Sequence, residues 1–363
     1  MNNSRRAVIN GKFLRAGPTG VHRVARELLR AIDRIDPAGL PRFEALVPPG
    51  DGLPQVGRSI PTRAVGRVGG QAWEQIELPR AAGRALILSL CNLAPILPRH
   101  AVTMIHDAQV FLTPESYALG FRLWYRQILR QAGRRHRAIL TVSHFSKAQL
   151  VHYGVAPAER IHVIHNGVDH ILRVDSDPSI IGRLGLARHG FAVALANTQR
   201  HKNIELLLKT FALPAMAGLK LVLVGGATAA DFEALGHMVP ANVVFAGTVS
   251  DEELRGLYEE ALCIAFPSLT EGFGLPPLEA MLLGCPAVIA PCGALPEVCG
   301  SHAIAVDPHD AQGWGTAIRA LAADERDWLT RSEAGRRHAA TFTWDRAARA
   351  MLDVLDEVWR AAR

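Results

Sequence analysis

No apolar run in the 363 residues reaches the ~18 that a membrane-spanning helix needs. The opening MNNSRRAVIN lacks the apolar core of a signal peptide. The expectation is a soluble, cytoplasmic chain. Cysteine is scarce: Cys91, Cys263, Cys285, Cys292 and Cys299 make an odd count without a CxxC pair. Although the last three recur every seven residues, each lies in an apolar or turn context. Small buried hydrophobes in a reducing compartment are expected, not a metal site. There is no internal repeat, no low-complexity tract, and no zinc, helix-turn-helix or aromatic RNA-binding motif. The basic residues are dispersed, so nucleic acid is set aside as a partner. A net charge of +6 is mild for this length; it suits anionic small molecules or lipid surfaces and selects neither.

What is present reads as a folded enzyme, with 49% hydrophobic and 20% charged residues and a length that suggests two domains. Short apolar runs predict strands at Ala7–Asn10, Phe43–Val47, Leu86–Leu90, Val102–His106, Ile139–Val142 and Ile161–Ile164. A second set follows at Phe191–Ala196, Leu219–Val224, Val243–Phe245, Ile264–Pro267, Ala287–Ala290 and Ala303–Val306. Helical patterns intervene, among them Val21–Ile32, Asn203–Phe211, Glu252–Ala261 and Trp314–Ala323. Continuous rather than alternating apolar strands, separated by amphipathic helices, predict α/β architecture with parallel sheets covered on both faces. We expect two Rossmann-like doubly wound domains facing each other across a cleft, 1–172 and 188–344. The amphipathic segment 345–363 is expected to pack back on the first.

The stretch EGFGLPPLEA, Glu271 to Ala280, carries the most chemistry. It lies between a strand (CIAF) and a second apolar run, with a helix expected from about Pro276 to Leu283. Proline is tolerated in the first helical turn, and Gly284 with Pro286 supplies a stop. A helix N-terminus after a glycine turn is an anion site, and Gly272 and Gly274 let a ligand approach the backbone. Glu279 is expected in the first helical turn. Carboxylates such as Glu271 and Glu279 cannot hold the anion, but they accept hydrogen bonds from vicinal hydroxyls. A ligand with both phosphate and hydroxylated rings, a sugar nucleotide, satisfies both features.

This motif, with the GCPAVIA that follows, resembles the E-x7-E signature of retaining GT-B glycosyltransferases of family 4, the glycosyl transferases group 1. ALPEVCG and AVDPHD match the usual continuation. FLRAGPTGVHRVARELL, WEQIELPRA, SLCNLAPI, IHDAQVFLTPESY, TVSHFSKAQL, IHVIHNGVD, HKNIELLLKTF and FAGTVSDEELRGLY extend the likeness over most of the chain, toward a polysaccharide-assembly branch. The resemblance implies that Glu279 binds ribose hydroxyls and Glu271 donor-sugar hydroxyls. It places the amides of Gly272, Phe273, Gly274 and Leu275 on sugar and phosphate, and the base near Val249 and Ser250. Lys202 and Arg200, with Asn197 nearby in ANTQRHKNIELL, would face the diphosphate, whose growing charge must be stabilised without a metal. His106 would face the donor sugar, and Gly20, closing the GPTG turn, the phosphate.

The implied reaction moves a hexose, mannose from GDP-mannose or glucose from UDP-glucose, with retained configuration. The acceptor is a saccharide or a polyprenyl-diphosphate-linked one in cell-surface polysaccharide assembly. The resemblance implies a front-face route, and no residue is an obvious nucleophile for a double displacement. Asp175-Ser176-Asp177 spells DxD but lies in a linker, so no metal is expected. Arg122, Arg126, Arg130 and Arg134 recur every four residues and suggest a basic helix face toward anionic lipid at the inner side of the membrane. Glycoside hydrolase, nucleotide-sugar epimerase and a non-catalytic nucleotide-sugar-binding homologue remain the alternatives.

Overall fold

LILS, AILT and CIAF carry apolar or small residues at nearly every position, so strands built from them must be covered on both faces. In the computed structural model of the chain, which describes residues 5–17, 19–35 and 42–361, such runs form interior strands of two wholly parallel sheets. The first sheet contains β1 (Arg6–Asn10), β2 (Arg42–Val47), β3 (Thr62–Ala64), β4 (Leu86–Ser89), β5 (Ala101–Met104), β6 (Ala138–Thr141) and β7 (Ile161–Val163), in the order β3-β2-β1-β4-β5-β6-β7. The second contains β8 (Phe191–Leu195), β9 (Lys220–Val224), β10 (Val243–Gly247), β11 (Cys263–Phe266), β12 (Ala287–Ile289) and β13 (Ile304–Ala305), in the order β10-β9-β8-β11-β12-β13. Both start centrally, wind to one edge and resume on the other side. These are two Rossmann-like units of GT-B type, and their strand order reverses between β1 and β4 and between β8 and β11. Ligands of such sheets bind beyond the strand carboxyl ends at the reversal.

The first compact unit runs to Gly167 and takes in the chain again from Trp344; the second is Val168–Thr343. The helix Trp344–Arg360 returns to lie along Gly20–Arg34, burying Met351 and Leu355 completely. Arg5–Asp356 (2.6 Å) and Arg34–Asp345 (2.7 Å) pin its two ends. Each buried aliphatic side chain contributes about 1.5–3 kcal/mol and each such exposed pair at most about 1 kcal/mol, so packing dominates.

Several features depart from the sequence reading. Residues 168–172, expected at the end of the first domain, and 173–187, expected between the two, belong to the second unit. Ser176 Oγ donates to Glu259 Oε2 (2.6 Å), and Asp177 Oδ1 accepts from the Ser179 amide, so this DxD segment docks on the helix Asp251–Glu260. The edge strand β3 was not anticipated, because TRA is mostly exposed and has no apolar signature. Nor was the polar helix Glu325–Ala339, which packs on Leu275–Leu282 through small residues such as Gly335.

The arginine row on Leu119–Arg135 is not a free basic face. Arg126 gives two hydrogen bonds to the Val110 carbonyl (3.0 and 2.8 Å) and lies over Phe111, as does Arg130. Arg122 reaches the Pro114 carbonyl, which leaves Arg134 as the exposed member. No helix among the described residues is long and apolar enough to cross a membrane. Cys263, Cys285 and Cys299 are buried, and burial pushes the Cys263 and Cys299 thiols up to about 12, which removes them as nucleophiles near neutrality.

Candidate functional site

Beyond β8 the chain turns sharply, and polar residues fix the turn. Asn197 Oδ1 accepts from the Gln199 amide (3.0 Å), and Arg200–Lys202 forms a single 3-10 turn. Asn203 then adopts a left-handed conformation (φ 54°), which asparagine tolerates better than most residues. Its amide donates to the carbonyls of Pro267 and Pro308 (3.3 and 2.9 Å), while the Leu269 amide donates to the His201 carbonyl (2.7 Å). The loops after β8 and β11 are thereby laced together at the strand reversal. The lacing brings Lys202 Nζ to 2.6 Å from Glu271 Oε1, with side chains 22% and 12% exposed.

Glu271 is held by its backbone too, since its carbonyl accepts from the Ala294 amide (3.0 Å). Gly293 (φ 62°) lies so close that a Cβ there would stand 2.5 Å from the Glu271 nitrogen. At Gly274 (φ 109°) a Cβ would strike Leu295, and this residue caps the helix Leu275–Leu282. Pro276 and Pro277 have no N–H, so two of the four donors that a helix start normally leaves unpaired are absent. Among the described residues the Gly274 and Leu275 amides donate to no protein acceptor. The anion site is therefore concentrated on two adjacent amides, next to Gly272 and Phe273.

Glu279 is the fifth helical residue, in the second turn and not the first as the sequence suggested, because the helix starts at Leu275. It is buried, and its Oε1 stands 3.1 Å from His170 Nε2, also buried, at an ion-pair distance without the alignment of a hydrogen bond. Glu279 thus lies beyond the first turn, where the helix dipole fades.

Two expected contacts are weaker in place. Arg200 is exposed and makes no ion pair among the described residues. Ser250 caps the next helix, and its own amide is taken by Glu253 Oε2 (3.0 Å), so of the pair expected at the base only Val249, just past β10, keeps its amide available. Asn197 is exposed and engaged in its turn. The second unit therefore gathers Lys202, Glu271, Glu279, Gly272–Leu275, Asn197, Arg200 and Val249 at the carboxyl ends of β8, β10 and β11.

His106 and Gly20 belong to the first unit, at the ends of its own elements. Gly20 opens the helix Gly20–Arg34, capped by Thr19; Pro18 of the GPTG turn lies outside the described residues. His106 follows β5 and is buried. Its Nε2 is 2.8 Å from the Leu90 carbonyl, so that nitrogen carries the hydrogen and Nδ1 presents a lone pair. Burial holds its pKa down at about 4, so the ring is neutral near pH 7. It can accept a hydroxyl hydrogen, and it is not a proton donor.

Sequence reasoning missed His170, Asn203 and Gly293. His170 had no signal, since its pairing with Glu279 is tertiary. Asn203, directly after Lys202 and ahead of an apolar helix, was legible as a left-handed turn residue.

Two family models match the chain: glycosyl transferases group 1 over residues 189–324, and glycosyltransferase family 4 over residues 79–171. Similar curated proteins include the O-antigen chain mannosyltransferase B of Escherichia coli, 29% identical over 68% of this chain and 67% of that protein. The O-antigen chain mannosyltransferase RfbU of Salmonella typhimurium is 28% identical over 67% of this chain and 66% of its own length. The likeness thus spans about two thirds of these relatives. Among solved structures, sucrose-phosphate synthase of Thermosynechococcus elongatus superposes with a TM-score of 0.76 at 18% identity, covering 99% of this chain and 100% of that one. HepE of Anabaena, solved with UDP and glucose, gives 0.72 at 20% identity, covering 98% and 100%.

Proposed function

This chain belongs to the group 1, family 4 glycosyltransferases, and we propose from that premise that it moves a hexose from a nucleoside-diphosphate sugar to a saccharide or polyprenyl-diphosphate-linked acceptor. The observation that carries this reading is the second unit's strand reversal. There two adjacent backbone amides and Lys202 offer a diphosphate site, between two acids that suit hydroxylated rings. A hydrolase needs no such cradle. Mannose is the favoured sugar, since both O-antigen relatives are named mannosyltransferases; glucose is second. Cell-surface polysaccharide assembly follows from the same names.

In the proposed reaction Glu279 holds the ribose and Glu271 a donor-sugar hydroxyl. Once the donor is bound, Lys202 points from Glu271 to the β-phosphate, and a cation held there contributes about 10²–10³ in rate as the charge grows. His106, neutral and with Nδ1 as acceptor, orients a sugar hydroxyl. Retention is assigned to a front-face route, in which the leaving phosphate takes the acceptor's proton, with Glu271 tied to Lys202 (2.6 Å) instead of attacking the sugar. A trapped covalent glycosyl-enzyme would overturn that route. Contact with anionic lipid is carried by Arg134 and the exposed Leu119, Phe121 and Leu123 instead of by the whole arginine row. Arg134→Gln should weaken binding to anionic liposomes; undiminished binding removes this part.

A thermal-shift panel of nucleotide sugars tests the donor. A true donor at a hundredfold excess over Kd stabilises by about 2.7 kcal/mol. GDP-mannose is expected to give the largest rise, and no rise with any nucleotide sugar defeats the proposal.

A further inference from the structure

The first sheet also reverses its strand order, and a cavity of about 140 Å³ lies there, within the first unit alone. One wall comes from the helical segment after Gly70, which widens into a π turn at Trp73–Glu77, a distortion often found at functional sites. The turn carries Glu74, only 2% exposed. Glu74 Oε1 accepts from Asn10 Nδ2 (2.7 Å), and Oε2 from Lys12 Nζ (2.9 Å). The Gln71 amide bridges the same two groups, donating to Glu74 Oε2 (2.9 Å) and accepting from Lys12 Nζ (2.8 Å). Asn10 is set in turn by Ser89 at the end of β4 (3.2 Å). The rest of the lining is largely apolar, with Phe13 and Leu90 facing the same space.

We propose that this cavity is a subsite for one ring of a neutral sugar, whose hydroxyls meet Glu74 and Lys12 and whose C–H face lies on Phe13. The inference rests on the glycosyltransferase reading and deepens it by assigning the acceptor's chemical class. A volume well under the ~300 Å³ of drug-sized pockets admits a single ring, not an oligosaccharide. A carboxylate and an ammonium in contact present strong acceptors and donors side by side, the pattern that vicinal hydroxyls, each donor and acceptor, complete. The same pair excludes a phosphate. Lys12 is already balanced by Glu74. His22 Nδ1 donates to the Gly17 carbonyl (2.7 Å), so in the neutral ring Nε2 is an acceptor, which suits a hydroxyl and not a phosphate oxygen. Arg26, beside Cys91, is turned onto the Leu14 carbonyl and the Phe13 ring. An anion here would meet the buried Glu74 carboxylate, and among the described residues lining the cavity the one permanent cation, Lys12, is already paired with it.

The test is saturation-transfer NMR on the full chain, with methyl α-mannoside, methyl α-glucoside, methyl β-galactoside and mannose 6-phosphate as probes. At least one methyl glycoside should bind about tenfold or more tightly than mannose 6-phosphate. Glu74→Gln and Lys12→Gln should each weaken that glycoside about tenfold, the loss of one charge-assisted hydrogen bond. Both variants should leave GDP-mannose and UDP-glucose binding in the second unit unchanged. Should Glu74→Gln fail to fold, Lys12→Gln carries the test, because the Lys12 side chain is 27% exposed. Absence of glycoside binding, preference for the phosphorylated sugar, or indifference to both variants overturns the inference. Failure of both nucleotide sugars to bind the unaltered chain is a separate result and strikes the donor reading instead.

Discussion

Glu271→Gln should pull apart the two halves of a sugar nucleotide. Glu271 Oε1 and Lys202 Nζ are 2.6 Å apart, with side chains 12% and 22% exposed. Exposed pairs are worth at most about 1 kcal/mol, and breaking a fully buried one costs about 3–5 kcal/mol, so a loss of ~2 kcal/mol is expected and the fold survives. The effects on ligands differ in sign. A phosphate beside Lys202 would lie roughly 6 Å from the Glu271 carboxylate, where like charges repel by ~3 kcal/mol at an effective dielectric of about 20. Solvent screening leaves roughly half of that. Removing the charge should therefore tighten bare GDP or UDP about tenfold. The sugar nucleotide gains the same relief but loses a charge-assisted hydrogen bond worth about 1.5–3 kcal/mol. The ratio of the two affinities should fall about 10- to 150-fold. Calorimetric titration of GDP against GDP-mannose, and UDP against UDP-glucose, into both proteins reads that ratio. Equal changes for nucleotide and sugar nucleotide would refute the assignment of Glu271 to the sugar.

Three further outcomes are expected. Burial holds His106 and His136 at about 4, below their usual 6.5, so the unfolded chain binds two more protons between those values. Their contribution is intact above about pH 6.5 and is lost as pH falls toward 4, by up to ~1.4 kcal/mol per pH unit for each ring; urea titrations should show the slope smaller by about that amount in His106→Gln, and an unaltered slope counts against the buried neutral ring. Gly293→Ala places a Cβ 2.5 Å from the Glu271 backbone at φ 62°, so a stability loss of about 1–3 kcal/mol should accompany a fall in transfer rate, and full activity would show that Glu271 need not be held there. Excess EDTA should leave the rate unchanged, whereas complete loss restored by Mn²⁺ would reinstate a metal.

The doubly wound sheets were legible because buried parallel strands announce themselves through continuous runs such as FAVAL and CIAF. β3 was not, since an edge strand of three mostly exposed residues has no core to face. At the candidate site the glycine turn and both glutamates could be read, because backbone conformation and residue type are local properties. The turn in which Glu279 lies depended on a one-residue shift of the helix start. The partners could not be read: Lys202 meets Glu271 from 69 residues away, and His170 meets Glu279 across the second unit. The arginine row shows the opposite error, a periodicity that promised a free face while Arg126 is fixed on the Val110 carbonyl.

Backbone hydrogen exchange, with and without saturating GDP-mannose or UDP-glucose, tests most directly where the sugar nucleotide is held. Slowed amides are expected within residues 197–203, 247–250 and 271–279, the loops after β8, β10 and β11. Tight binding with exchange unchanged in all three would contradict the account.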